Sequence, residues 1–64
     1  MDNDIVGQRY VARDRTSTEW EVIAKVEMGI NVPHVRLRMS REPSTTKLIA
    51  LNALMDERLY RKVG

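Results

Sequence analysis

Few side chains in this sequence could carry chemistry, and their spacing decides which chemistry to consider. His34, Arg36 and Arg38 recur at every second position of HVRLRMS, His34 to Ser40, with Val35, Leu37 and Met39 between them. Such alternation marks a half-buried strand. It puts an imidazole and two guanidinium groups on one face. That face could contact phosphates or simply meet water.

Catalysis fares worse. Nucleophilic catalysis needs an activated serine, threonine or cysteine beside a base. Serines and threonines here fall in turn-like clusters, and His34, the only histidine, adjoins Pro33. The carboxylate pairs Asp2/Asp4 and Asp56/Glu57 have no apolar setting that would raise one pKa. The three glycines, Gly7, Gly29 and Gly64, are too far apart for a phosphate-cradling loop. With no cysteine and one histidine, neither a disulfide framework nor a zinc site within one chain is credible. The expectation is a non-enzymatic protein with no cofactor, no metal and no small-molecule substrate.

The 64 residues make one small domain, with Met1 to Asp4 as a frayed acidic start. Eleven Lys+Arg against nine Asp+Glu leave a formal charge of +2, so distribution rather than net charge must point to a partner. The start, MDNDIVGQRY, lacks the basic and apolar regions of a secretory signal, and apolar runs such as LIAL are too short to span a bilayer. A soluble, cytoplasmic protein that does not enter membranes is expected.

The elements that must position these residues read largely as strands. Gly7 introduces a strand over Gln8 to Arg13, with Tyr10 and Ala12 on one face. DRTST, Asp14 to Thr18, is a turn by composition. EWEVIAKVE is the clearest strand, with Trp20, Val22, Ala24 and Val26 on one face and Glu21, Ile23 and Lys25 on the other. MGINVP is a loop, HVRLRMS the next strand, and REPST a turn around Pro43. If the two central strands pair antiparallel, their apolar faces must coincide, and directly opposite residues share a face. Lys25 then joins Arg36 and Arg38; one such register sets Val26 opposite Val35 and Lys25 opposite Arg36. A one-residue slip would turn arginines into the core. Trp20 is read as a core or core-edge residue in preference to a stacking platform. Tyr10 and Tyr60 belong near the rim, and Met28, Met39 and Met55 fill gaps.

The C-terminal third has two readings. Leu48, Leu51, Met55 and Leu59 form a helical stripe behind Ser44, which would give a three-stranded antiparallel sheet plus a C-terminal helix. The β-branched Thr45, Thr46 and Ile49 instead suit a strand TKLIAL, a turn around Asn52 to Glu57, and a last strand LYRKV. Local pattern leans slightly to helix.

The whole chain resembles small bacterial and phage proteins with an SH3-like barrel layout. The matching pieces are VGQRY (Val6 to Tyr10), ARDR (Ala12 to Arg15), EWEVIAKV, and TKLIALNALMDERLYRKV (Thr46 to Val63). The middle, MGINVPHVRLRMSREP, departs from the layout by lacking a glycine-centred basic turn. The resemblance implies an all-β small barrel of about five strands. Ile49, Leu51 and Leu54 would point inward, with Leu54 on a one-turn 3₁₀ segment before the last strand. It implies an interaction role and no catalytic residue, since this fold serves peptides, nucleic acids and other subunits.

Two functions follow. One is an interaction module that docks a protein or self-associates, because Ile23, Ile30, Val32 and Leu48 lack an assured place inside. The other is a nucleic-acid-binding barrel that uses Lys25, Arg36 and Arg38. His34, Arg41, Tyr60 and Arg61 would join it, with Arg58 and Lys62 beside them. Against both stands a solvated outer face held by cross-strand Glu–Arg pairs.

Overall fold

The structure is a computed structural model and describes residues 5–27 and 32–63. Five strands, β1 (Arg9–Ala12), β2 (Glu19–Val26), β3 (His34–Met39), β4 (Thr46–Ala50) and β5 (Tyr60–Val63), surround one short helix, α1 (Leu51–Met55). They form a single curled antiparallel sheet in the order β4-β3-β2-β1-β5, half of a barrel. The all-β expectation holds. The MGIN segment, with Met28 and Ile30, lies outside the described residues.

Local chemistry sets the first hairpin. Gly7 adopts a φ of +95°, a conformation that side-chain-bearing residues avoid. Its N–H donates to the Val22 carbonyl (2.8 Å) while the Val22 N–H donates to the Gln8 carbonyl (2.9 Å). Two residues thus oppose one, a bulge that starts β1 with Tyr10 and Ala12 turned inward. At the other end, Asp14 Oδ1 accepts hydrogen bonds from the Thr16 N–H (2.9 Å), the Thr16 hydroxyl (2.6 Å) and the Ser17 N–H (3.2 Å). These bonds, the Thr16 hydroxyl foremost, hold the Asp14 carboxyl below its usual pKa. DRTST is a turn, as its composition predicts.

The central pairing departs from simple alternation. Trp20, Glu21 and Val22 face Met39, Arg38 and Leu37, which is the expected parity. The register then shifts, and Ala24, Lys25 and Val26 face Arg36, Val35 and His34. Ile23 is the extra residue of a second bulge. The expectation that Lys25 shares a face with Arg36 and Arg38 is therefore wrong, and with it the register that set Lys25 opposite Arg36: Lys25 faces the fully buried Val35, and Ala24 faces Arg36. A uniform one-residue slip would have turned arginines inward, but a bulge slips only half the strand.

The C-terminal third resolves as strand, helical turn and strand, which overturns the long-helix reading. Three residues of the helical stripe, Leu48, Met55 and Leu59, are among the exposed large apolar residues, whereas Leu54 is 1% exposed. The β-branched Thr46 and Ile49 go into β4. α1 is α-helical rather than 3₁₀ and has only five residues with no side-chain cap. A helix that short does not stand alone in water, so Leu54 packing must hold it. Asp56 ends it. Its carbonyl accepts from the N–H groups of Leu59 (2.9 Å) and Tyr60 (3.0 Å), and its carboxylate accepts from the Arg58 side chain and N–H. The Arg58 bonds hold the Asp56 pKa down at about 2.

The core comprises Tyr10, Trp20, Val22, Val35, Leu37 and Leu54, with Ile5, Met39, Ile49, Leu51 and Tyr60 packed against it. Trp20, Ile49, Leu51 and Leu54 thus take the inward places expected of them. Met39 packs against the core, but Met55 is exposed, and Tyr10, 6% exposed, sits in the core rather than at the rim. No helix among the described residues is long and apolar enough to cross a membrane.

The Gly7 bulge yields a test. A Cβ at Gly7 would meet nothing within 4 Å, so any cost of substitution comes from the backbone alone. Gly7→Ala should lower unfolding stability by about 1 kcal/mol. Gly7→Asn should lower it less, because asparagine tolerates positive φ. Urea unfolding measures both, and equal losses would place the cost elsewhere.

Candidate partner-binding surface

Strand parity divides the charged residues between two faces. Arg9, Glu19, Glu21, Arg36, Arg38 and Arg61 lie on the outer face with Val11 and Leu48. Two of the arginines there meet carboxylates. Arg38 Nη2 lies 2.8 Å from Glu21 Oε1, and Arg9 Nη1 lies 3.4 Å from Glu19 Oε2. The cross-strand Glu–Arg pairing expected of a solvated face is present. Arg36 is exposed between Ala24 and Leu48, and no described carboxylate pairs with it.

The other sequence-derived candidates scatter. Lys25 sits beyond the Ile23 bulge, its side chain 20% exposed and its Nζ 3.6 Å from Glu27. His34 is half-buried, with Nδ1 2.9 Å from the Val32 carbonyl. Arg41 is exposed in the β3–β4 turn beside Ser40 and the Thr16–Glu19 segment. Arg61 is exposed on β5 opposite Val11, on the same face as Arg36 but three strands away from it. Arg58 is committed to Asp56. A continuous basic patch built from Lys25, Arg36 and Arg38 does not form.

Tyr60 belongs to a different cluster, which the sequence reading missed. Lys47 lies opposite the buried Leu37 and therefore on the inner face. Its Nζ sits 4.3 Å from the centroid of the Trp20 ring and 5.4 Å from that of Tyr60, and it donates to the Tyr60 hydroxyl at 2.9 Å. The electron-rich ring faces stabilise the ammonium. The contact joins β4 to β5, the two ends of the sheet, which do not pair with each other. A signal existed: Ile49 was expected inward, and Lys47 is two residues before it in the same strand.

Between those ends lies a cleft of about 260 Å³, lined by Ala12, Ile49, Ala53, Leu59 and Tyr60 among others. Backbone groups flank it. The β3–β4 ladder is bounded by Met39 N–H to the Thr45 carbonyl and Leu51 N–H to the Pro33 carbonyl, both 2.9 Å. Counting in twos, Lys47 and Ile49 turn their backbone groups toward β3, while Thr46, Leu48 and Ala50 turn theirs away. On β5, Arg13 N–H bonds the Leu59 carbonyl at 2.8 Å. By the same parity Arg61 and Val63 face β1, and Tyr60 and Lys62 face outward.

The described residues hold no group of three or more metal-ligating side chains. What the surface can do is present strand edges and an apolar side chain, Leu48, which is 41% exposed. No family model matches this sequence, and no curated protein or solved structure matches it.

Lys47 and Tyr60 should be energetically coupled. Lys47→Met keeps most of the apolar stem and removes the charge. It should cost about 1 kcal/mol, at the low end for a partly exposed cation–π and hydrogen-bonded group. Tyr60→Phe added to Lys47→Met should then cost less than Tyr60→Phe alone. Additive losses in a double-mutant cycle would show that the contact contributes nothing.

Proposed function

We propose that this protein is a non-enzymatic interaction module that docks a protein partner through the free edge of β4. The observation that carries this reading is the β4 edge itself. Thr46, Leu48 and Ala50 direct their backbone groups away from β3, and Leu48 exposes an apolar side chain beside them. Strand addition at an open edge supplies main-chain hydrogen bonds for affinity and side-chain contacts for specificity. The SH3-like layout that the sequence resembles suits an interaction role, and the lack of cysteine fits a reducing cytoplasm.

Nucleic-acid binding is the second reading, and Arg36 is the observation in its favour. It is exposed and without a described carboxylate partner. Against it, Glu21 and Glu19 engage Arg38 and Arg9, and Lys25 lies across the bulge. Carboxylates among the arginines repel the phosphates that such a face would need.

An NMR titration of labelled protein with mixed single- and double-stranded oligonucleotides separates the two. Protein docking predicts at most diffuse shifts that vanish at physiological salt. Localised shifts at Arg36 and Arg38 that persist in salt, and are lost in the double alanine variant, would overturn it in favour of nucleic acid.

A further inference from the structure

The two ends of the sheet differ in how they are guarded. Proteins discourage edge-to-edge pairing with charge, proline or a bulge on the edge strand. β5 carries Arg61 and Lys62, both exposed. β4, TKLIA, contains neither proline nor glycine, and its register with β3 runs without a shift from Thr46 to Ala50. Its one charge, Lys47, is turned inward to Tyr60 and Trp20. Among the described strands β4 is paired with β3 alone, and only the Lys47 side chain reaches across to β5. No proline, bulge or outward-pointing charge stands on this edge.

We infer that the occupant of the β4 edge is a second copy of β4, paired antiparallel about a twofold axis through Leu48. The inference rests on the docking reading and names its partner. The strand complements itself in this register. Leu48 faces Leu48 of the second copy, and each exchanges N–H and carbonyl with the other. Each Ala50 N–H meets the Thr46 carbonyl of the other copy, while the Ala50 carbonyl is left to α1, where a cap residue accepts the first helical bond. Lys47 faces Ile49 of the second copy, so no like charges lie opposite one another. On the outer surface the two Leu48 side chains meet at the centre of the junction, with Thr46 and Ala50 on either side along the strands and one Arg36 beyond each Leu48. β5 offers no such match, since pairing it with another β5 would bring arginines and lysines together. The result is a twofold dimer with one sheet running through both subunits.

A charge swap at Leu48 tests this register. Sedimentation equilibrium of the wild type should show its mass moving from one chain to two between micromolar and millimolar concentration. Leu48→Lys places lysine opposite lysine, flanked by Arg36 on each side, and should hold the mass at one chain throughout. Isotope-labelled Leu48→Lys should return to the dimer mass and its slower tumbling when unlabelled Leu48→Glu is added. If Leu48→Lys fails to fold, isotope-filtered NOEs in mixed labelled and unlabelled wild type serve instead. They should connect Leu48 to Leu48 and Lys47 to Ile49 between chains. A wild type that stays at one chain, a Leu48→Lys that dimerises like wild type, or a species larger than two chains would overturn the inference. Hydrogen exchange on a wild type that stays monomeric then separates the failures. Fast exchange at Leu48 and Ala50 beside slow exchange at Lys47 and Ile49 leaves an edge open to a different protein. Uniform protection would remove the docking reading as well.

Discussion

Lys47 reaches across the mouth of the half-barrel and ties the two ends of the curled sheet together. A sheet of five strands has two ends, and here β4 and β5 do not pair. The chain has no disulfide to tie them, and a domain of this size has little core to spare. Two contacts span the opening. Leu54, 1% exposed, plugs it from α1, and Lys47 joins β4 to Trp20 on β2 and to the Tyr60 hydroxyl on β5. A lysine suits the second task because its stem is apolar and long while its head can sit over an aromatic face.

The same arrangement shapes the surface. Turning Lys47 inward leaves β4 with no outward-pointing charge along its edge. Leu48, next in the chain, then points outward between Arg36 and the open edge. Stabilising the barrel mouth and exposing a pairing edge are two results of one strand parity. The outer arginines tell the complementary story. Glu19 and Glu21 on β2 lie among them and engage two of the four arginines, so the face that looks most basic in the sequence is a mixed one in the fold.

Much of this was legible in the residues. The strand phases of RYVA, EWEV and HVRLRM, the Asp14 turn and the core place of Trp20 all follow from alternation and turn chemistry. The Ile23 bulge was not legible. After Val22 the strand reads Ile23, Ala24, Lys25, Val26, and three apolar residues in four carry no phase. Only pairing with β3 decides which residue is extra. The C-terminal third misled local pattern because its leucine spacing and composition suit a helix, while tertiary packing selects Leu54 and leaves Leu48, Met55 and Leu59 exposed. Lys47 was missed because a lysine in a strand reads as solvated. Its position relative to Ile49 held the information, but charge outweighed parity.

The bridged barrel mouth and the bare β4 edge both follow from where the Lys47 side chain lies. Proton NMR reads this directly, because ring currents shift protons held over an aromatic face upfield. The Lys47 methylene protons nearest Nζ should resonate upfield of those of Lys25 and Lys62, and Trp20→Leu should return them to the ordinary lysine position. Lys47 resonances that coincide with those of the other lysines in the folded wild type would contradict the inward placement. The bridged barrel mouth and the unguarded β4 edge would fall with it.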